Sequence, residues 1–196
     1  MDRFNHYARQ RQAPRCRAPS ATIGAMDLNY APVGATQIQE PVWQSRPQGF
    51  RAYERTVPIG RGDDDWKAAC AAVMSWAVKT RSGFSVSSDD SPKSEAVESH
   101  DYTLIAGLGP LRIREPVRVV ATVDQPDRCG FAYGTRRGHP VAGEEAFVVS
   151  RSLDGLISLT LRSLTQAPTG PWRLAYPLAL VAQRWYRARY ARSLTG

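Results

Sequence analysis

Two stretches of the chain carry helical periodicity, and most of what lies between them alternates as strands do. Trp66, Ala69, Cys70, Val73, Ala77 and Thr80 recur at helical spacing. The run follows Asp63-Asp64-Asp65, whose carboxylates suit a helix N-terminus, and Gly83 is a natural stop. The second stretch, Pro171 to Ser193, places Leu174, Leu178, Val181, Trp185 and Ala188 on one stripe. Proline fits its first turn, Pro177 should kink it, and the stripe is expected to face the sheet. Strands are predicted over Phe50–Val57, Tyr102–Ala106, Val117–Val123, Arg128–Tyr133, Glu145–Ser150 and Leu156–Leu164. Turns fall at Gly107–Pro110, Asp124–Asp127 and Asp154-Gly155, and the polar Ser85–Ser99 segment reads as a strand end and a mobile loop. This order predicts an α+β fold in which a curved antiparallel sheet wraps around a long C-terminal helix.

Composition narrows the class. With 42% hydrophobic and 22% charged residues the chain can bury an ordinary core, so wholesale disorder is excluded. The longest apolar run, Leu174 to Ala182, is interrupted by Pro177 and falls far short of the roughly 20 residues that span a bilayer. Residues 1–26 hold five arginines, Pro14 and Pro19, and no apolar stretch. They read as a flexible basic extension rather than a secretory signal, leaving 27–196 as a single domain. Cys16, Cys70 and Cys129 form no C-x-x-C pair, which argues against a disulfide framework or a zinc site and for a cytoplasmic protein.

The net charge of +8 is carried by the two ends. Residues 155–196 contain six arginines and no acid, whereas the body of the chain is nearly balanced. Two readings stay open for these ends: a solvated tail with an arginine-rich helix face, or contact with phosphates, lipid head groups or an acidic partner. Balanced charge in the body leaves no expectation of nucleic-acid binding.

Several longer motifs resemble a known family. Leu28-Asn29-Tyr30-Ala31-Pro32-Val33-Gly34-Ala35-Thr36 looks like the opening signature of a bacterial and plant family known only as a domain of unknown function. The likeness continues through Pro47–Phe50, Gly107–Leu111 and Pro116–Val120, and is densest at Gly130-Phe131-Ala132-Tyr133-Gly134-Thr135, Gly138-His139-Pro140 and Gly143-Glu144-Glu145-Ala146-Phe147. It covers roughly residues 28–194. The family is similar in fold to the START-like helix-grip superfamily, whose members hold lipids, hormones or polyketides between sheet and helix. That resemblance implies a hydrophobic small-molecule partner; it brings no agreed active site. The first 26 residues and the Ser85–Ser99 loop depart from the family pattern.

Chemistry must therefore be argued from residues. G-x-S-x-G, Walker A, H-E-x-x-H and strand-anchored G-x-G-x-x-G motifs are absent, and Gly60-Arg61-Gly62 is followed by three aspartates that would repel an anion. The best polar cluster is Tyr133, His139, Glu144 and Glu145. Alternation puts Glu145 on the face of Phe147 and Val149, and Glu144 on that of Ala146 and Val148. Glu145 is thus the inward carboxylate, with His139 or Tyr133 as its proton-transfer partner in a cofactor-free cyclisation or isomerisation. The competing reading is that the glutamates brace the glycine-rich loop through backbone N–H groups or through Arg136, Arg137 or Arg118. Tyr30, Glu144, Arg118, Phe131, Phe147 and Trp185 are the expected ligand contacts, Trp185 from the inner face of the last helix. Ordinary packing competes for Tyr30, and Cys70 and Cys129 read as buried inert thiols. A non-catalytic lipid or metabolite carrier would need the same cavity without the proton chemistry.

Overall fold

In the computed structural model, which describes residues 27–44, 46–88, 95–108 and 111–195, seven strands form one antiparallel sheet. The strands are β1 (Arg51–Arg61), β2 (Ser85–Ser87), β3 (Asp101–Leu108), β4 (Leu111–Gln125), β5 (Arg128–Thr135), β6 (Ala142–Arg151) and β7 (Leu156–Gln166). Their order across the sheet is β1-β7-β6-β5-β4-β3-β2, so β3 to β7 form a meander and β1 and β2 are the edges. Helices α1 (Asp63–Met74) and α2 (Ala77–Thr80) carry the chain from one edge strand to the other, and α3 (Trp172–Tyr190) closes it. This is the arrangement expected from the sequence, a curved antiparallel sheet with a long C-terminal helix. The basic extension at residues 1–26 and the centre of the Ser85–Ser99 loop lie outside the described residues.

Every predicted strand forms, and most run longer. β4 extends through Pro116 to Leu111, and an irregularity between Val119 and Ala121 re-aims it against β5. The single front helix becomes two, because Trp76 adopts a left-handed conformation with φ of 61°. That break turns the indole into the interior, where it meets the rings of Phe131, Tyr102 and Tyr133 at 4.5, 5.0 and 5.7 Å. These large rings are buried together in the main core cluster on the inner face of the sheet.

The two faces of the sheet are covered differently. On the inner face Phe131, Phe147, Val149, Leu159 and Leu161 pack with α1 and α2. On the outer face Ala132, Ala146, Val148 and Val123 pack against Ile38, which the segment 27–44 lays across the sheet. Arg162, fully buried, donates to the Glu54 carboxylate and to the carbonyls of Thr36, Gln37, Glu40 and Pro41, fixing that segment. One of the six C-terminal arginines is therefore a structural clamp rather than surface charge.

The stripe predicted for α3 is corrected. Leu174 is 90% and Trp185 55% exposed, and Leu178 and Val181 also face outward. The inner face is instead Trp172, Ala175, Ala179, Gln183, Tyr186 and Tyr190.

Candidate functional site

Between α3 and the β4–β7 part of the sheet lies a cavity of about 360 Å³, within the range of small-molecule sites. Ile113, Ala175, Leu178, Ala179 and Tyr186 supply most of its apolar wall. Alanines on α3 leave room that larger side chains would fill, so the helix spans the sheet without closing on it.

The polar groups collect at one end. Lys79, at the end of α2, directs its ammonium to Glu145 Oε2 and to the Tyr190 hydroxyl, both at 2.7 Å. Tyr133 donates to the same Glu145 oxygen. The ammonium also sits within 4.5 to 5.6 Å of the Phe84, Tyr190, Tyr133 and Phe147 ring centres, which compensates part of its lost hydration. Burial, reinforced by the Glu145 charge, holds both the Tyr133 and Tyr190 phenols well above their ordinary pKa, so both are neutral donors.

Glu115, on the cavity side of β4, forms no ion pair with a lysine or arginine among the described residues. Burial raises its pKa to about 7, with Lys79 opposing and Glu145 adding to the rise. Its Oε2 lies 3.7 Å from His139 Nε2. That nitrogen is buried and has no hydrogen-bond partner among the described residues, while Nδ1 is held by the Val141 backbone. Burial first, then Lys79, push the His139 pKa down to about 3, so the ring is a neutral imidazole at physiological pH.

The expected site residues divide accordingly. Glu145, His139 and Tyr133 all line the cavity, and alternation assigned Glu145 to the inner face correctly. Glu145 is tied to Lys79 and Tyr133, however, so it is not a free base. Glu144 accepts from the Tyr30 hydroxyl and the Gly34 and Thr36 N–H groups at 2.8 to 2.9 Å, and from the Thr36 hydroxyl. It braces the opening segment from the outer face. Tyr30 belongs to that outer cluster and does not line the cavity. Arg118 pairs with Asp101 through two contacts of 2.6 and 2.8 Å, away from the cavity. Phe131 and Phe147 are core, and Trp185 points outward with the α3 stripe.

Sequence reading missed Lys79 and Glu115. Extending β4 through Pro116 would have found Glu115, since Val117 and Val119 are its inward alternates. Lys79 lies off the regular helical period because Trp76 resets the phase, and only the fold reveals it. Among the described residues no group of His, Cys, Asp and Glu is placed to hold a metal ion, and no helix is long and apolar enough to cross a membrane.

Residues 29–193 match the family described as a domain of unknown function, DUF1990. The chain belongs to that family. A relative, the UPF0548 protein of Deinococcus radiodurans, is 32% identical over 161 residues, covering 76% of this chain and 78% of its own. Among solved structures, the hypothetical protein jhp0584 of Helicobacter pylori is similar with a TM-score of 0.56 at 8% identity, covering 87% of this chain and 95% of its own. That likeness is one of fold. The major latex-like protein 151 of Panax ginseng superposes with a TM-score of 0.47 at 9% identity, over 74% of this chain and 95% of its own. The segments that carry the resemblance meet in space: Leu28 bridges to Arg136, Asn29 N–H donates to Thr135 O, and Thr135 Oγ1 accepts from Gly143 N–H at 2.7 Å.

Proposed function

We propose that the protein binds a small, largely apolar molecule carrying a carbonyl or similar oxygen, and that it moves a proton on that molecule without a cofactor. The apolar body lies along α3 and Ile113. Its oxygen meets Lys79 and Tyr190; the Tyr190 hydroxyl accepts from Lys79, which leaves its own hydrogen free for a ligand. Glu115 as carboxylate takes a proton from carbon next to the carbonyl, and the developing negative oxygen is held by Lys79 and Tyr190. Return of the proton at a second position completes an isomerisation or cyclisation with no net change in protons. His139 Nε2 stands beside Glu115 as its partner in that exchange.

The observation that carries this reading is Glu115, a carboxyl poised near neutrality at the polar end of an apolar cavity. Native mass spectrometry of the purified protein, against the same sample denatured, tests for a releasable ligand. The Glu115→Gln variant then separates enzyme from carrier. An enzyme keeps ligand affinity and loses turnover by about 10²-fold or more; a carrier keeps affinity and has no turnover to lose. Glu115 is a cleaner test position than Glu145, because Glu145→Gln would also strip Lys79 of its counter-charge.

A further inference from the structure

The outward face of α3 is apolar where a helix on a protein surface should be polar. Leu174, Leu178, Val181 and Trp185, at i, i+4, i+7 and i+11, form an exposed stripe along its length. Arginines lie beside it: the groove between β1 and α3 is lined by Arg51, Arg55 and Arg184, while Arg187 in the same groove turns inward to donate to the Ser163 hydroxyl and lie over the Tyr53 ring. Among the described residues Arg51, Arg55 and Arg184 form no ion pair. The whole of α3 and its approach, residues 155–196, contains no acid to offset them.

We propose that this face of α3 docks on an anionic phospholipid surface. An apolar stripe ending in tryptophan and bordered by arginine is the composition of a helix lying in the plane of a bilayer interface. Leucine, valine and tryptophan side chains enter the acyl boundary while the arginines meet phosphate head groups. A second copy of the chain is a poorer occupant, because a symmetric contact through this face would set the same unpaired arginines against each other. Leu178 belongs to both the stripe and the cavity wall, so a docked helix holds the cavity beside the lipid. The docking does not depend on the chemistry proposed for Glu115.

Cosedimentation of the full chain with vesicles tests this, using phosphatidylcholine alone and equal parts phosphatidylcholine and phosphatidylglycerol. Binding is expected to the mixed vesicles, and to weaken with salt. The double variant Leu174→Glu with Val181→Glu should bind at least tenfold more weakly. Both side chains are exposed, so it should keep the wild-type circular dichroism and melting temperature. Arg184→Glu, a milder surface change, should weaken binding to the mixed vesicles in the same direction. Failure of the wild type to bind mixed vesicles overturns the proposal. So does undiminished binding by the double variant, which would place the lipid contact elsewhere, for instance on the five arginines of residues 1–26. A concentration-dependent dimer that the double variant abolishes, without vesicle binding, would overturn it in favour of self-association.

Discussion

Glu144 and Glu145 are neighbours on β6 whose carboxylates serve opposite faces of the sheet. Glu145 pairs with Lys79 at the polar end of the cavity, and Glu144 collects the hydroxyls and N–H groups of Tyr30, Gly34 and Thr36 on the other side. Adjacent acids in one motif therefore do unrelated work: one shapes the site, and the other fastens the opening segment over the outer core.

Loss of Glu144 should cost stability and spare ligand binding. Glu144→Ala removes a charged acceptor and strands two backbone N–H groups and the Tyr30 hydroxyl in a buried place. Chemical denaturation should show a loss of about 3–5 kcal/mol, while the fraction that remains folded keeps its affinity for any cavity ligand. Equal loss of affinity would mean that the outer segment reaches the site.

The Glu144 and Glu145 assignment was legible because strand alternation depends only on backbone geometry, and Phe147 and Val149 fixed which face was inward. The α3 stripe was not legible. Periodicity finds the most hydrophobic face, and here that face is outside: the cavity wall uses alanine for room and Tyr186 and Tyr190 for polar tips. A helix that lines a cavity need not turn its greasiest side inward. Arg162 was misread for a related reason, since its burial depends on five partners from β1 and residues 36–41 that no local pattern contains.

Gly134 should tolerate no side chain while Tyr30 is present. A Cβ at this position would fall 2.3 Å from the Tyr30 hydroxyl oxygen and 2.7 Å from its ring. Gly134→Ala is expected to destabilise by about 1–3 kcal/mol through overpacking. In a Tyr30→Ala background the same change should cost much less, and thermal melts of the four proteins give the coupling directly.

Lys79 and Glu145 should behave as one unit. Their side chains are 3% and 13% exposed, so removing either leaves a buried charge without its partner. Lys79→Met should cost about 3–5 kcal/mol, and adding Glu145→Gln should recover part of that loss. Additive losses in urea melts would show that the pair is not coupled and that Lys79 acts mainly through its aromatic surroundings.

The pH dependence of stability should expose Glu115 and His139 separately, because their shifts have opposite signs. His139 has its pKa lowered from 6.5 to about 3, so between those values the unfolded chain holds more protons there, and stability falls as pH drops. Glu115 has its pKa raised from 4.5 to about 7, so between those values the folded chain holds more protons there, and stability falls as pH rises. From pH 4.5 to 6.5 the two oppose each other, and below 4.5 only His139 acts. Glu115→Gln should therefore steepen the loss of melting temperature on acidification between pH 6.5 and 4.5. His139→Asn should flatten the loss below pH 4.5 and leave Glu115 to favour the acidic side above it. Parallel melting curves for wild type and Glu115→Gln across that window would mean that Glu115 is not protonated in the folded protein near neutrality, and the proton transfer assigned to it would fall with that result.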